Sequence, residues 1–178
     1  GREDVIQAHI NELGLDYKPH VVNPSQHDCF EKYAHTLFTL RQRKGMTYAL
    51  ACELLRQPNY FGVMMVEMGD ADAFVSGLTY DYPSVIRPAL QIVHTKPGIR
   101  RVAGLYIMIV RDKVYFFTDA TVNIEPTSED LAEIAILAAD LAREFDIEPR
   151  IAMLSFSNFG STKHPLAEKV QKAVELVR

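Results

Sequence analysis

At 178 residues the chain is long enough for one good core or two small lobes. Its 48% hydrophobic and 24% charged content is that of an ordinary globular protein, with no sign of disorder. A formal net charge of −4 argues against a nucleic-acid partner, which needs a strongly basic face, and no apolar run approaches the roughly 20 residues that span a bilayer.

The elements follow in chain order. Gly1 is not a methionine and a helix pattern begins at once, so the chain reads as a segment of a longer one. A helix is predicted over residues 3–13, stopped by Gly14, then a short strand-like piece around His20-Val21-Val22. Ser25 is placed to cap a helix over 26–43, with Phe30, Tyr33, Ala34, Leu37 and Leu40 on one face. Thr47 opens the next helix, YALACELLR, and NYFGVMMVEMG is a third, whose methionines pack the core. ADAFVSG (71–77) reads as a short buried strand, followed by a helix from Ser84 that carries Pro88 within about its first turn.

The segments 100–110 and 113–120 are β-branched and aromatic, and Arg111-Asp112 between them predicts a hairpin. Thr127 with Asp130 signals the cap of a helix to about Phe145, with Leu131, Ile134, Ala135, Ala138, Leu141, Ala142 and Phe145 on its apolar face. RIAMLSFS then reads as a strand, and SNFGS as a turn into a last helix. Strands alternating with helices predict an α/β layered fold with a largely parallel sheet. Cys29 and Cys52 show no metal-ligand spacing and read as reduced thiols in a cytoplasmic protein. The six histidines are dispersed, so a metal site is not expected.

Four features could carry chemistry. Ser76-Gly77 and Ser157-Asn158-Phe159-Gly160-Ser161 follow strand-like segments, where small residues let an anionic ligand approach the backbone. The plainer account is turn geometry, since neither matches a P-loop or a dinucleotide fingerprint. Arg41 in the cluster RQRKG could hold phosphate, or simply complement a helix C-terminus. Arg87 could point at an anion, or pair with Asp81. Asp119 stands at a strand end, where capping the following loop is preferred over acid–base work.

Five blocks in order, LRQRKGMT, NYFGVMMVEMGDADAFVSG, VIRPALQIVHTKPG, DATVNIEPTSEDLAEIA and IEPRIAMLSFSNFGS, resemble the phosphate acetyl/butyryltransferase family over essentially the whole chain. The resemblance implies a three-layer α/β/α fold of the isocitrate/isopropylmalate dehydrogenase type, two lobes with a cleft, here an incomplete fragment. Residues 1–96 would be a partial first lobe and 97–178 a partial second. Arg41 and Arg87 match the family's arginines that handle the phosphate or CoA end of the substrates. Ser76, Gly77, Ser157, Gly160 and Ser161 would join them in binding acyl-CoA or phosphate. Nothing matches the family's NDLSRG-type segment with its catalytic serine, so no catalytic residue is expected within this chain.

Where free-standing enzymes usually carry SFSTKGSA and a cysteine in "DCA-N", this chain has Ser155 to Thr162 as SFSNFGST, and Asp119-Ala120-Thr121-Val122-Asn123. That looks like the phosphotransacetylase-like domain of NADP-dependent malic enzymes. The leading expectation is therefore a fragment of such an enzyme, inactive alone, binding acetyl-CoA as an allosteric regulator and aiding a homo-oligomer. NADP and Mg or Mn would belong to absent domains, with no cofactor in this one. The alternative is a phosphate acetyltransferase, converting acetyl-CoA and phosphate to acetyl phosphate and CoA.

Overall fold

The computed structural model describes residues 1–178. Two compact units divide the chain, Gly1–His94 and Thr95–Arg178.

The first unit is helical: α1 (Glu3–Glu12), α2 (Phe30–Arg41), α3 (Tyr48–Leu55), α4 (Pro58–Glu67) and α5 (Tyr82–Ile92). Local chemistry sets the boundaries. The hydroxyl of Thr47 accepts the Leu50 N–H and caps α3. Pro58 opens α4 where a missing N–H is not needed. Gly45, at φ 85°, closes the 3-10 turn Gln42–Lys44 that follows Arg41. Apolar residues at helical spacing then meet in one core, in which Tyr33 and Leu37 of α2, Leu55 of α3 and Met64 of α4 are fully buried. The Tyr33 hydroxyl reaches out of this core to donate to the Asp70 carboxylate. Gly62 gives α4 a bare patch against Phe74, and a Cβ there would lie 2.5 Å from the Phe74 ring.

The second unit pairs β1 (Leu105–Val110) with β2 (Lys113–Thr118) and adds α6 (Ser128–Glu144) and α7 (Pro165–Val177). The strands are antiparallel, Leu105 opposite Thr118 and Val110 opposite Lys113. Arg111 and Asp112 both take left-handed φ, 48° and 63°, as the tight hairpin turn demands. Thr127 and Asp130 form a reciprocal capping box at the head of α6. Ala132, Ile134, Ala135, Ala139 and Ala142 of α6 and Ala167 and Ala173 of α7 are buried, so small side chains make this core. The expected face turns slightly: Phe145 is half-exposed and lies tilted against Phe116 of β2, at 5.9 Å between centroids.

A mixed α/β chain is confirmed, but the sheet is corrected. Instead of a largely parallel sheet there is a two-stranded antiparallel one, and 20–22, 71–77 and 150–157 form no strand. A strand exists only where a neighbour supplies ladder hydrogen bonds, and these segments have none: Val75 is 94% exposed and Leu154 87%. The helix predicted from Ser25 is also shortened. Asn23 accepts the Ser25 N–H, Pro24 opens a 3-10 turn, and α2 starts only at Phe30.

Candidate anion site

Within the first unit, Arg41 is the last residue of α2 and half-buried, while Arg87 lies in α5 and is exposed. Neither guanidinium takes part in an ion pair, and the alternative pairing of Arg87 with Asp81 does not form. Tyr60 of α4 is 6% exposed and its hydroxyl donates to Gln91 Oε1 of α5 at 2.8 Å. Burial pushes the Tyr60 phenol above its ordinary value, while the charges of Arg87 and Arg41 pull it back. Both cations thus lie within electrostatic reach of one buried hydroxyl. Positive charges without carboxylate partners are what an anion site needs.

Arg87 is not in the first turn of its helix, as the sequence had suggested. Pro83 starts α5 early, so that Tyr82 is its first residue and Arg87 its sixth. Pro88 is consequently an interior proline. It has no N–H for the carbonyl four residues back, that of Ser84, and its ring crowds that oxygen. The structure answers with Asn59, a buried side chain whose Nδ2 donates to Ser84 O at 3.0 Å. A carbonyl can only accept, which fixes the orientation of the carboxamide. Its Oδ1 then accepts from Ser76 Oγ at 2.8 Å. Asn59 so joins the loop carrying Ser76 and Gly77 to the helix carrying Arg87. Gly77, at φ 127°, occupies backbone space that suits glycine.

Ser157, Gly160 and Ser161 belong to the second unit and are bonded among themselves. The Ser157 N–H donates to Ser155 Oγ, Ser157 Oγ accepts from the Thr162 N–H, and the Ser161 N–H donates to Asn158 O. Gly160 has φ 76°, where a side chain is strained, and a Cβ there would displace the end of the flexible Gln171 side chain, 1.8 Å away. Asp119 caps its loop: its carboxylate accepts the N–H groups of Gly104, Thr121, Val122 and Asn123 and the Asn123 side-chain amide. Burial pushes this carboxyl up, but the hydrogen bonds prevail and bring it down to about 2.

Asn59, Tyr60 and Gln91 were not singled out from the sequence. A signal was present in Asn59, a polar residue opening an otherwise apolar helix beside a chain with an interior proline. No group of three or more His, Cys, Asp and Glu side chains is arranged to hold a metal ion, and no helix is long and apolar enough to cross a membrane.

Comparison with known proteins gives a consistent picture. The family model for phosphate acetyl/butaryl transferase matches residues 1–178. A phosphate acetyltransferase of Bacillus subtilis is 42% identical over 179 residues, covering 100% of this chain and 55% of its own. One from Synechocystis is 41% identical over 170 residues, 95% of this chain and 24% of its own. Among solved structures, a phosphotransacetylase from Streptococcus pyogenes superposes with TM-score 0.88 at 42% identity, and the EutD phosphotransacetylase from Staphylococcus aureus with 0.85 at 40%. Each covers 99% of this chain and 54% of the other. The chain thus spans between about a quarter and about half the length of these relatives.

These likenesses overturn the leading expectation of a malic-enzyme fragment with acetyl-CoA as its regulator, and with it the oxidoreductase and NADP assignments. The matched relatives are phosphate acetyltransferases, the alternative reading. Asn158-Phe159 and Ala120 had seemed to mark a different class. At about 40% identity, however, most positions differ between relatives of one activity, and two such differences separate nothing.

Proposed function

The chain belongs to the phosphate acetyl/butaryl transferase family, and from that premise we propose that the protein is a phosphate acetyltransferase, with Arg41 and Arg87 holding the phosphate. In the proposed reaction a phosphate oxygen attacks the thioester carbonyl carbon of acetyl-CoA. The new C–O bond gives acetyl phosphate, the C–S bond breaks, and CoA leaves as a thiolate. Arg41 and Arg87 would offset the phosphate charge and orient its oxygens, since guanidinium groups match phosphate bidentately. Binding in this way converts an encounter of two anionic substrates into an oriented approach.

The observation that carries this reading is the pair of guanidiniums without carboxylate partners, whose charges both act on the buried Tyr60 phenol. Support for the fuller three-layer, dehydrogenase-like architecture of the intact protein comes from the family resemblance alone. The test is acetyl phosphate formation from acetyl-CoA and inorganic phosphate by the intact protein. Arg41→Ala and Arg87→Ala should each raise the KM for phosphate by roughly 10- to 100-fold, the loss of one charged hydrogen-bonding group. Phosphate saturation unchanged in both variants would sink the assignment of this pair.

A further inference from the structure

We infer that His164 is a pH-sensitive cap: its neutral imidazole holds the head of α7 and closes the base of the 157–163 loop, and protonation of the ring releases both. The backbone at His164 is extended, and its side-chain Nδ1 accepts the Leu166 N–H at 3.2 Å. Pro165 follows as the first helical residue and has no N–H to satisfy. The next two donors, Ala167 and Glu168, both bond to the His164 carbonyl, at 2.9 and 3.0 Å. His164 therefore serves every free N–H of the first turn by itself, and the bond to Leu166 runs through a side chain that titrates.

The same ring closes the loop that precedes the helix. It meets Phe156 edge to face, with 5.3 Å between centroids and 85° between planes. The chain leaves Phe156 and returns at His164, so this contact joins the two ends of residues 157–163. Inside the loop the Thr162 N–H donates to Ser157 Oγ and the Ser161 N–H to Asn158 O. Those bonds tie the loop to itself, while the His164 ring ties its base to the head of α7.

The cap and a proton compete for one lone pair. A neutral imidazole has one nitrogen that accepts, whereas an imidazolium has two that donate and none that accepts. Protonation therefore sets Nδ1–H against the Leu166 N–H and brings positive charge to the positive end of a helix dipole. No carboxylate lies within ion-pair distance of His164 to compensate. The segment 151–162, which carries Phe156, holds no charged residue, and Lys163 has the same sign as an imidazolium. Glu168, one turn into α7, would draw a charged ring away from Leu166. On α6, which packs against α7, Glu129 is already engaged by Lys172 at 2.6 Å. The cap exists only with the neutral ring. It is present at the alkaline end of the range in which imidazoles charge, about pH 8 to 5, and lost toward the acid end.

The experiment is amide–water exchange of the intact protein, read by NMR at about pH 8 and about pH 5 and corrected for intrinsic rates, for wild type, His164→Asn and His164→Ala. In wild type the protection of Leu166 should fall about three- to tenfold between the two, the loss of one capping hydrogen bond, and Ser161 and Thr162 should lose protection with it. Asparagine is an N-cap acceptor that does not titrate, so His164→Asn should protect Leu166 equally at both pH values. His164→Ala should protect it poorly at both; should that variant fail to fold, wild type and His164→Asn decide. His27, whose Nδ1 accepts the Cys29 N–H at 3.2 Å, titrates alike in all three proteins and drops out of the comparison. Wild-type protection that ignores pH, or a His164→Asn variant that follows the wild type, overturns the inference. Ser161 and Thr162 staying protected while Leu166 opens overturns the hold on the loop. Acetyl phosphate formation plays no part in the readout, so the outcome is independent of the activity proposed above.

Discussion

Asp119 shows how one side chain holds a loop. Its oxygens collect the backbone N–H groups of Thr121, Val122 and Asn123, reach back to Gly104, and take the Asn123 amide as well. The charged form is the better acceptor, so the carboxyl sits at about 2 in the folded chain, against about 3.9 when unfolded. A depressed folded value stabilises the fold above pH 4, and that contribution disappears as pH falls from about 4 through 2. For this half-buried group it amounts to roughly 1–2 kcal/mol once solvent screening is allowed for. Urea unfolding of wild type and Asp119→Asn should therefore differ by about that amount at pH 7 and converge near pH 2. Parallel curves at both pH values would refute the account. The loop-capping role was readable from Asp119 followed by Thr121 and Asn123. Its partner Gly104, fifteen residues back, was not, because only the hairpin brings it there.

The helix α5 illustrates what a sequence pattern conveys about an element and what it omits. Its existence was legible, though its start and so the interior place of Pro88 were not; the cap of α6 and the tight hairpin at Arg111-Asp112 were legible too. Each of these depends on residues within a few positions of one another. The repair of the Pro88 break comes from Asn59, 25 residues before the carbonyl it serves, and no local pattern could assign it. Asn59→Ala should cost about 1–2 kcal/mol, since it takes away the part-buried hydrogen bond to Ser84 O. Adding Pro88→Ala restores an N–H to that oxygen, so the double variant should recover a substantial part of the loss. Chemical denaturation of the two single variants and the double measures this coupling; simple additivity would show that Asn59 does not serve that carbonyl. The strands expected at 71–77 and 150–157 failed for a related reason. Their apolar content was read correctly, but pairing depends on a distant partner.

Taken together, the 178 residues combine a mixed aromatic and aliphatic core in the first unit and an alanine-rich one in the second with exposed apolar segments. Val75 and Leu78 of the first unit and Leu154 and Phe159 of the second are each at least 87% exposed, and exposed apolar side chains of this size favour association. Near pH 5.9 the net charge vanishes and nothing opposes their association. Light scattering of the 178-residue chain should therefore peak close to pH 5.9 and fall toward pH 8. Added salt at pH 8 should restore part of it by screening the charge. Scattering independent of both pH and salt would show that these segments do not drive association. Composition correctly announced a globular chain; it carried no information about where apolar residues would be left uncovered.

Gly62 gives one more thread to pull. In the middle of α4, alanine is worth about 1 kcal/mol more than glycine by helix propensity, and a search for stabilising changes would choose that position early. Its Cβ, however, would occupy the space of the Phe74 ring, two residues from the Ser76 that Asn59 holds. Improvement of the helix and preservation of the loop then pull in opposite directions at a single atom. Position 62 is where selection for a sturdier helix and selection for an undisturbed 71–77 loop would part company.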